Sequence, residues 1–210
     1  MIRYSRSARS LAIGLALLAG FVDAIGFLFS GGLFVSFMSG NSTRLAVGLA
    51  DRQAIAALAA MLIAGFVSGV VLGSLLGARW TAARVALSLA VVTLLLGLAG
   101  AFGLAGHDLL LLLSLTMAMG CANTIFQRDG DVTIGVTYMT GALVRLGQRI
   151  ADALRGGKRW DWLPYLLLWS GLVSGAIMGA LIFARIGVHS LWIAVVAAGI
   201  MAVWARELEI

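Results

Sequence analysis

One cysteine, two histidines and nine acidic residues among 210 positions exclude a good deal of chemistry. Cys121 stands alone inside an apolar run, so it builds neither a disulfide framework nor a thiolate metal site. His107 and His189 fall near the ends of apolar runs, positions that suit interfacial solvation better than metal ligation. Asp23 is a solitary carboxylate within its run, whereas hydrolysis at that depth would need a paired acid or a Ser/His couple. The chain has no H-E-x-x-H phrase and no nucleophile elbow. It also lacks G-x-x-x-x-G-K-[ST], so any pumping must draw on a gradient or a partner. Neither an enzyme, a metal nor a cofactor is expected.

Charge is scarce too. Only 11% of residues are charged and 61% are hydrophobic, against about 25% and about 45–50% in soluble domains. With a mean hydropathy of +1.04, there are too few polar groups to cover a water-facing surface, and the expected medium is lipid. Six apolar runs approach the roughly 17–25 residues that a helix needs to cross a bilayer: Leu11–Phe29, Ala54–Leu76, Val85–Leu104, Leu109–Phe126, Leu163–Phe183 and Ile186–Trp204. None alternates with the period of two that a lipid-facing barrel would require. The first run has a basic start, but it is long for a signal-peptide core, contains Asp23 and lacks a convincing cleavage site. It is read as a retained span.

With the N-terminus inside, six spans place twelve basic residues in cytoplasmic loops and only Arg44, Arg52 and Arg185 outside. That asymmetry matches the positive-inside rule. The net charge of +6 is therefore an orientation signal. Nucleic acid is not an expected partner, because the basic residues are scattered over short loops. The expected location is a bacterial inner membrane, with both termini cytoplasmic.

What the chain does have is a repeated phrase. FMSGNSTRLAVGLAD (Phe37–Asp51) reappears as YMTGALVRLGQRIAD (Tyr138–Asp152) at an offset of 101, with Met38, Gly40, Arg44, Leu45, Ala50 and Asp51 repeated. Downstream, Gly65–Arg79 and Gly171–Arg185 share eight of fifteen positions at an offset of 106. Upstream, Gly20–Ile25 faces Gly120–Ile125 at an offset of 100, which sets Asp23 opposite Asn123. Three collinear matches in one order indicate a tandem duplication within a single membrane domain, residues 1–210. Residues 10–105 form the first repeat and residues 106–206 the second. Each half holds three spans, an odd number, so the second enters the membrane upside down. The expected fold is thus an all-α polytopic protein of six transmembrane helices, arranged as two inverted three-helix repeats. Each repeat carries a broken, re-entrant polar segment after its first helix. A rival topology makes each phrase a further crossing with parallel halves, but it would bury Asn41 and Arg44 in mid-bilayer.

Leading into the phrase, Leu33–Met38 supplies six mostly apolar residues, about 9 Å of helix, which suits a dip better than a crossing. Ser39, Asn41, Ser42 and Thr43, with Thr140 in the second half, are expected to cap the helices that follow. The bland alternative makes Ser-Gly-Asn a mere interfacial cap. The other has two elbows lining a polar cavity, since non-helical backbone at depth must be buried or face water. Asp23, Ser39, Gly40, Asn41, Arg44, Asn123, Thr140 and Arg145 are the candidate pathway residues, with Arg44 the natural partner of Asp23 and with Gln127 and Tyr138 as further lining. Gly65, Gly69 and Gly73, like Gly171, Gly175 and Gly179, form small-residue stripes for close helix contact. The seam they make joins either the two halves or the two copies of a homodimer.

Gly20–Asp23, together with Phe34, Met38, Ser39, Gly40 and Asn41, resembles the YoaK-like family of small bacterial inner-membrane proteins, and the resemblance covers essentially the whole chain. The second phrase departs from the first by placing Ala142 opposite Asn41, which weighs against a symmetric pair of sites. The resemblance implies location and architecture; the family is one of unknown function and brings no catalytic residues. The functional expectation is a secondary transporter or facilitator of a small polar solute, proton-linked if Asp23 titrates. A channel-like pore and a non-transporting scaffold or accessory subunit are the alternatives.

Overall fold

Ser5 starts the first helix. Its Oγ accepts a hydrogen bond from Ala8 N at 3.1 Å, so α1 (Arg6–Phe29) begins before the apolar run that marks it in the sequence. The computed structural model describes residues 5–80, 83–128, 131–132 and 135–207. Arg3, counted above for orientation, lies outside them, as do the side chains of Arg6, Gln127 and Arg128.

Among the described residues the chain continues as α2 (Met38–Ala50), α3 (Ile55–Arg79), α4 (Arg84–Leu104) and α5 (Asp108–Ala122). A two-residue antiparallel hairpin, β1 (Gln127–Arg128) with β2 (Asp131–Val132), follows. Then come α6 (Met139–Leu154), α7 (Leu163–Ile186) and α8 (Leu191–Trp204). All regular structure among the described residues, apart from that hairpin, is helical.

Among the described residues, four helical stretches are long and apolar enough to cross a membrane: Ser7–Phe29, Ile55–Arg79, Arg84–Leu104 and Leu163–Trp204. The expectation of six separate spans is met only in part. The last stretch contains both of the final apolar runs, joined by a single 3-10 turn at Gly187–Ser190. Gly187 ends α7 with φ +55°, a backbone conformation that glycine alone adopts freely. The fourth predicted run, Leu109–Phe126, stops being helical at Ala122, where Asn123 opens a series of turns. Its 15 residues rise about 22 Å, short of a ~30 Å core.

Two helix pairs make the centre of the molecule: α1 lies against α7, and α3 against α5. α4 packs between α5 and α8, while the shorter α2 and α6 rest on α3 and α7. Backbone touches backbone across both central pairs. On α3, a Cβ at Gly69 would collide with the Met117 carbonyl, and one at Gly65 or Gly73 with the hydroxyls of Thr116 or Thr124. On α7, Gly175 and Gly179 lie against the carbonyls of Leu17 and Phe21, and a Cβ at Gly171 would stand 3.2 Å from Ile13 O. Gly20 on α1 and Gly120 on α5 meet the carbonyls of Leu172 and Phe66 in return. In apolar surroundings such pairing depends on van der Waals contact, which small residues maximise.

The buried core has Leu11, Leu15, Leu62, Leu89, Leu96, Leu115 and Met119 at its centre, and many large apolar side chains face outward as well. Val67, Val71 and Leu75 on α3 and Val196, Ile200 and Val203 on α8 are all exposed. An outer face of that composition is what a helix bundle presents to lipid tails.

Candidate functional site

The most elaborate polar construction in the protein is the eight-residue break between α1 and α2. Gly31 and Gly32, with φ of +72° and +117°, end the first helix, and Gly32 N donates back to Phe27 O at 2.8 Å. Ser30 Oγ accepts from Leu33 N and donates to Leu33 O, both at 2.9 Å. Leu33 and Val35 are then fully buried, and the Val35 side chain fills the space left by the absent Cβ of Gly26. Apolar anchoring thus draws a non-helical stretch inward, and its backbone groups need partners there.

Side chains supply them. Asp23 Oδ1 accepts from Val35 N and Ser36 N, both at 2.8 Å. Asn41 is completely buried; its Oδ1 accepts from Phe34 N at 2.9 Å and its Nδ2 donates to Phe34 O at 2.6 Å. Three consecutive amides, Phe34 to Ser36, are therefore held by two side chains that approach from different helices. The rings of Phe27 and Phe34 lie 4.8 Å apart, and Phe37 meets Phe34 edge-on at 5.2 Å, which closes an aromatic cluster around the clamp.

The second half repeats part of this. Asn123 Nδ2 donates to Met119 O at 2.8 Å, and its Oδ1 accepts from Thr137 Oγ1 at 3.1 Å and from Thr137 N at 3.5 Å. Val136 is fully buried, as Val35 is. Gly141 faces the ring of Tyr138 as Gly40 faces that of Phe37. The Asn41 clamp has no counterpart, because Ala142 stands there, buried and without polar side-chain atoms.

Several sequence expectations change. The apolar dip Leu33–Met38 is not a turn of helix: residues 30–37 are irregular, and α2 begins at Met38. Ser39, Ser42, Thr43 and Thr140 therefore lie inside helices. Both helix starts, at Phe37 and Tyr138, lack a side-chain cap. The hydroxyls of Ser42 and Thr43 bond back to Met38 O and Ser39 O, the usual outlet for such groups within a helix. Asp23 takes backbone amides as its partners, and Arg44 forms no ion pair with it. The Arg44 guanidinium lies by Gly32, about 3.2 Å from where a Cβ would stand. Ser39, Thr140 and Arg145 lie toward the surface. The structure thus brings Asp23 and Asn41 together through one loop, sets Arg44 at the loop's edge, and keeps Asn123 with Thr137.

Sequence reasoning named Phe34 only as a motif residue and missed Ser36 and Thr137. The signal was present: VSFMSG (Val35–Gly40) and VTYMTG (Val136–Gly141) extend the repeated phrase upstream by two residues. That extension pairs the two hydroxyl residues bound by Asp23 and Asn123.

Comparison with known proteins agrees with this membrane reading. A family model described as "Protein of unknown function (DUF1275)" matches residues 11–204. The UPF0700 transmembrane protein RA0705 of Rhizobium meliloti (strain 1021) is 37% identical over 216 residues, which cover 99% of this chain and 91% of that protein. No solved structure matches. A small bacterial membrane family of unknown function is what the Gly20–Asp23 and Met38–Asn41 motifs led us to expect.

Proposed function

Since this chain belongs to the DUF1275 family of proteins of unknown function, we propose that it is a multi-pass membrane carrier for a small polar solute, built from two inverted halves. Residues 10–105 and 106–206 are the halves, each crossing three times, with both termini on the cytoplasmic side of a bacterial inner membrane. The reading is supported by one pattern of contacts. Gly69 against Met117 corresponds to Gly175 against Leu17, and Gly120 against Phe66 corresponds to Gly20 against Leu172. The partners are related by the same offsets, 100 and 106, that relate the repeated sequences. Each half packs its first helix against the other half's second crossing, as an internal two-fold relation requires. Inverted repeats of this kind place sites at interrupted helices and work by rocking one half against the other.

In this reading Asp23, Asn41 and Asn123 position the two elbows. Ser39, Gly40, Arg44, Thr140 and Arg145 flank the route, with Arg44 as the residue that meets the solute. A thermal-shift screen of the purified protein against amino acids, organic acids and inorganic ions tests it, followed by flux of any hit into proteoliposomes. A stabilising solute lost with Arg44→Gln, and showing saturable counterflow, is the expected result. Discrete conductance steps in a planar bilayer would replace the carrier with a channel.

A non-transporting scaffold is favoured by a different observation: Asp23 and Asn41 bond the backbone groups of the 34–36 segment. It predicts no stabilising solute and no flux, with both side chains needed for folding alone.

A further inference from the structure

The Arg149–Trp162 corner, between the C-terminal half of α6 and the start of α7, contributes nothing to the elbows or the glycine seam. α6 is strongly two-faced. Met139, Ala142 and Leu146 lie on or against the core, while Arg145 and Gln148 face outward. Toward its end the apolar side runs out of protein to pack on: Ile150 is 41% exposed and Leu154 is 83% exposed. A cleft of about 580 Å³ opens there, lined by Ile150, Ala153, Leu154, Gly157, Arg159 and Trp162. Most of its wall is hydrocarbon; one guanidinium stands at its rim.

Charge around the cleft is one-sided. Residues 145–162 contain Arg145, Arg149, Arg155, Lys158 and Arg159 against Asp152 and Asp161. Asp152 is already engaged by Arg149 at 3.4 Å and by Arg155 at 3.0 Å. Lys158 and Arg159 form no ion pair among the described residues, and both are exposed. The Arg159 guanidinium lies over the Trp160 ring, 5.5 Å from its centroid. Trp160 and Trp162 are 5.7 Å apart, and Trp162 Nε1 donates to Arg159 O at 2.8 Å, which fixes the loop. Paired tryptophans at the start of an apolar helix mark the headgroup level of a bilayer.

We infer that this cleft is a binding site for an anionic phospholipid, with an acyl chain along Ile150, Ala153 and Leu154 and the phosphodiester at Lys158 and Arg159. The occupant follows from the combination. A soluble anion would leave the apolar wall exposed to water, and a zwitterionic lipid would leave two cations without a net counter-charge. An anionic lipid satisfies both, and the surrounding membrane supplies it. Basic pockets between helices at the membrane surface hold acidic headgroups through the same chemistry. The inference goes beyond the transport reading and stands if that reading fails.

Native mass spectrometry of the full-length protein in detergent tests it, with dioleoyl phosphatidylglycerol titrated against dioleoyl phosphatidylcholine. The intact protein should retain the anionic lipid preferentially. Lys158→Gln/Arg159→Gln should weaken that retention by about fivefold per cation removed, the size expected for a basic residue at an anionic surface. Arg185→Gln, in the last turn of α7 and so at the opposite end of that helix from the cleft, should leave it unchanged. Thermal unfolding of the double variant should match the parent protein, since both residues are exposed. Equal retention of the two lipids would overturn the inference, as would a preference that survives the double substitution. Displacement of the lipid by millimolar glycerol phosphate or inorganic phosphate would overturn it as well, by showing a soluble-anion site.

Discussion

Asn41 illustrates how one amide decides a local structure. It spans both backbone groups of Phe34 from seven residues away, in a fully buried position. Asn41→Ala should destabilise the protein by about 1–3 kcal/mol, the cost of leaving buried polar groups unpaired, measured as a lowered Tm in detergent. Ser39→Ala, at a surface position, should be nearly silent in the same assay. Asp23 permits a sharper division. Asp23→Asn keeps an acceptor oxygen for Val35 N and Ser36 N, as Asn123 does for Thr137, so stability should be largely retained; Asp23→Ala removes the acceptor and should cost about 1–3 kcal/mol. If Asp23→Asn keeps its Tm but loses flux, the charge serves transport; if it keeps both, the carboxylate serves the fold. Of these residues, the sequence singled out Asp23 and Asn41 as misplaced polar groups in an apolar chain. The repeated phrase, extended upstream, points to Ser36 and Thr137 as their surroundings, but which backbone groups they bind was not legible, because a bond to backbone leaves no trace in the partner's identity.

The helices were legible where apolar runs are long, and less so where they are interrupted. α1, α3, α4 and α7 lie within a few residues of the runs that mark them. α2 and α6 start earlier than the capping pattern suggested, because Phe37 and Tyr138 are turned over Gly40 and Gly141 and no side-chain cap is used. The glycine stripes give the clearest test at this scale. Gly69→Leu and Gly175→Leu place a side chain where a carbonyl already lies; each should lower stability by about 1–3 kcal/mol or more, as overpacking does. Gly97, on α4, has open space for 4 Å around the point where a Cβ would stand. Gly97→Ala should therefore be neutral or stabilise by up to about 1 kcal/mol through helix propensity. Denaturation midpoints in one detergent would check all three. Loss of stability at Gly97 equal to that at Gly69 would mean the seam does not hold the bundle.

For the whole molecule, the proposed inverted arrangement makes a compartment-specific prediction. Thr43→Cys and Val144→Cys both place a thiol at an exposed position, while the native Cys121 is completely buried. A membrane-impermeant maleimide should reach the first from outside and the second only from inside. Labelling of both from one side would remove the inverted halves and the carrier with them. By itself, the sequence determined the solvent, and it carries the repeated phrases on which the proposed fold plan rests. A chain with 11% charge and long apolar runs must sit in lipid, and collinear matches between its two halves are written in its residues. Tertiary structure alone decided what the polar phrases do. Whether Asp23 meets a cation, a solute or a backbone amide depends on where an irregular loop returns, and that return is set by Val35 filling the hollow at Gly26. A contact between residues that are distant in the chain is fixed by shape, and shape exists only after the helices have packed.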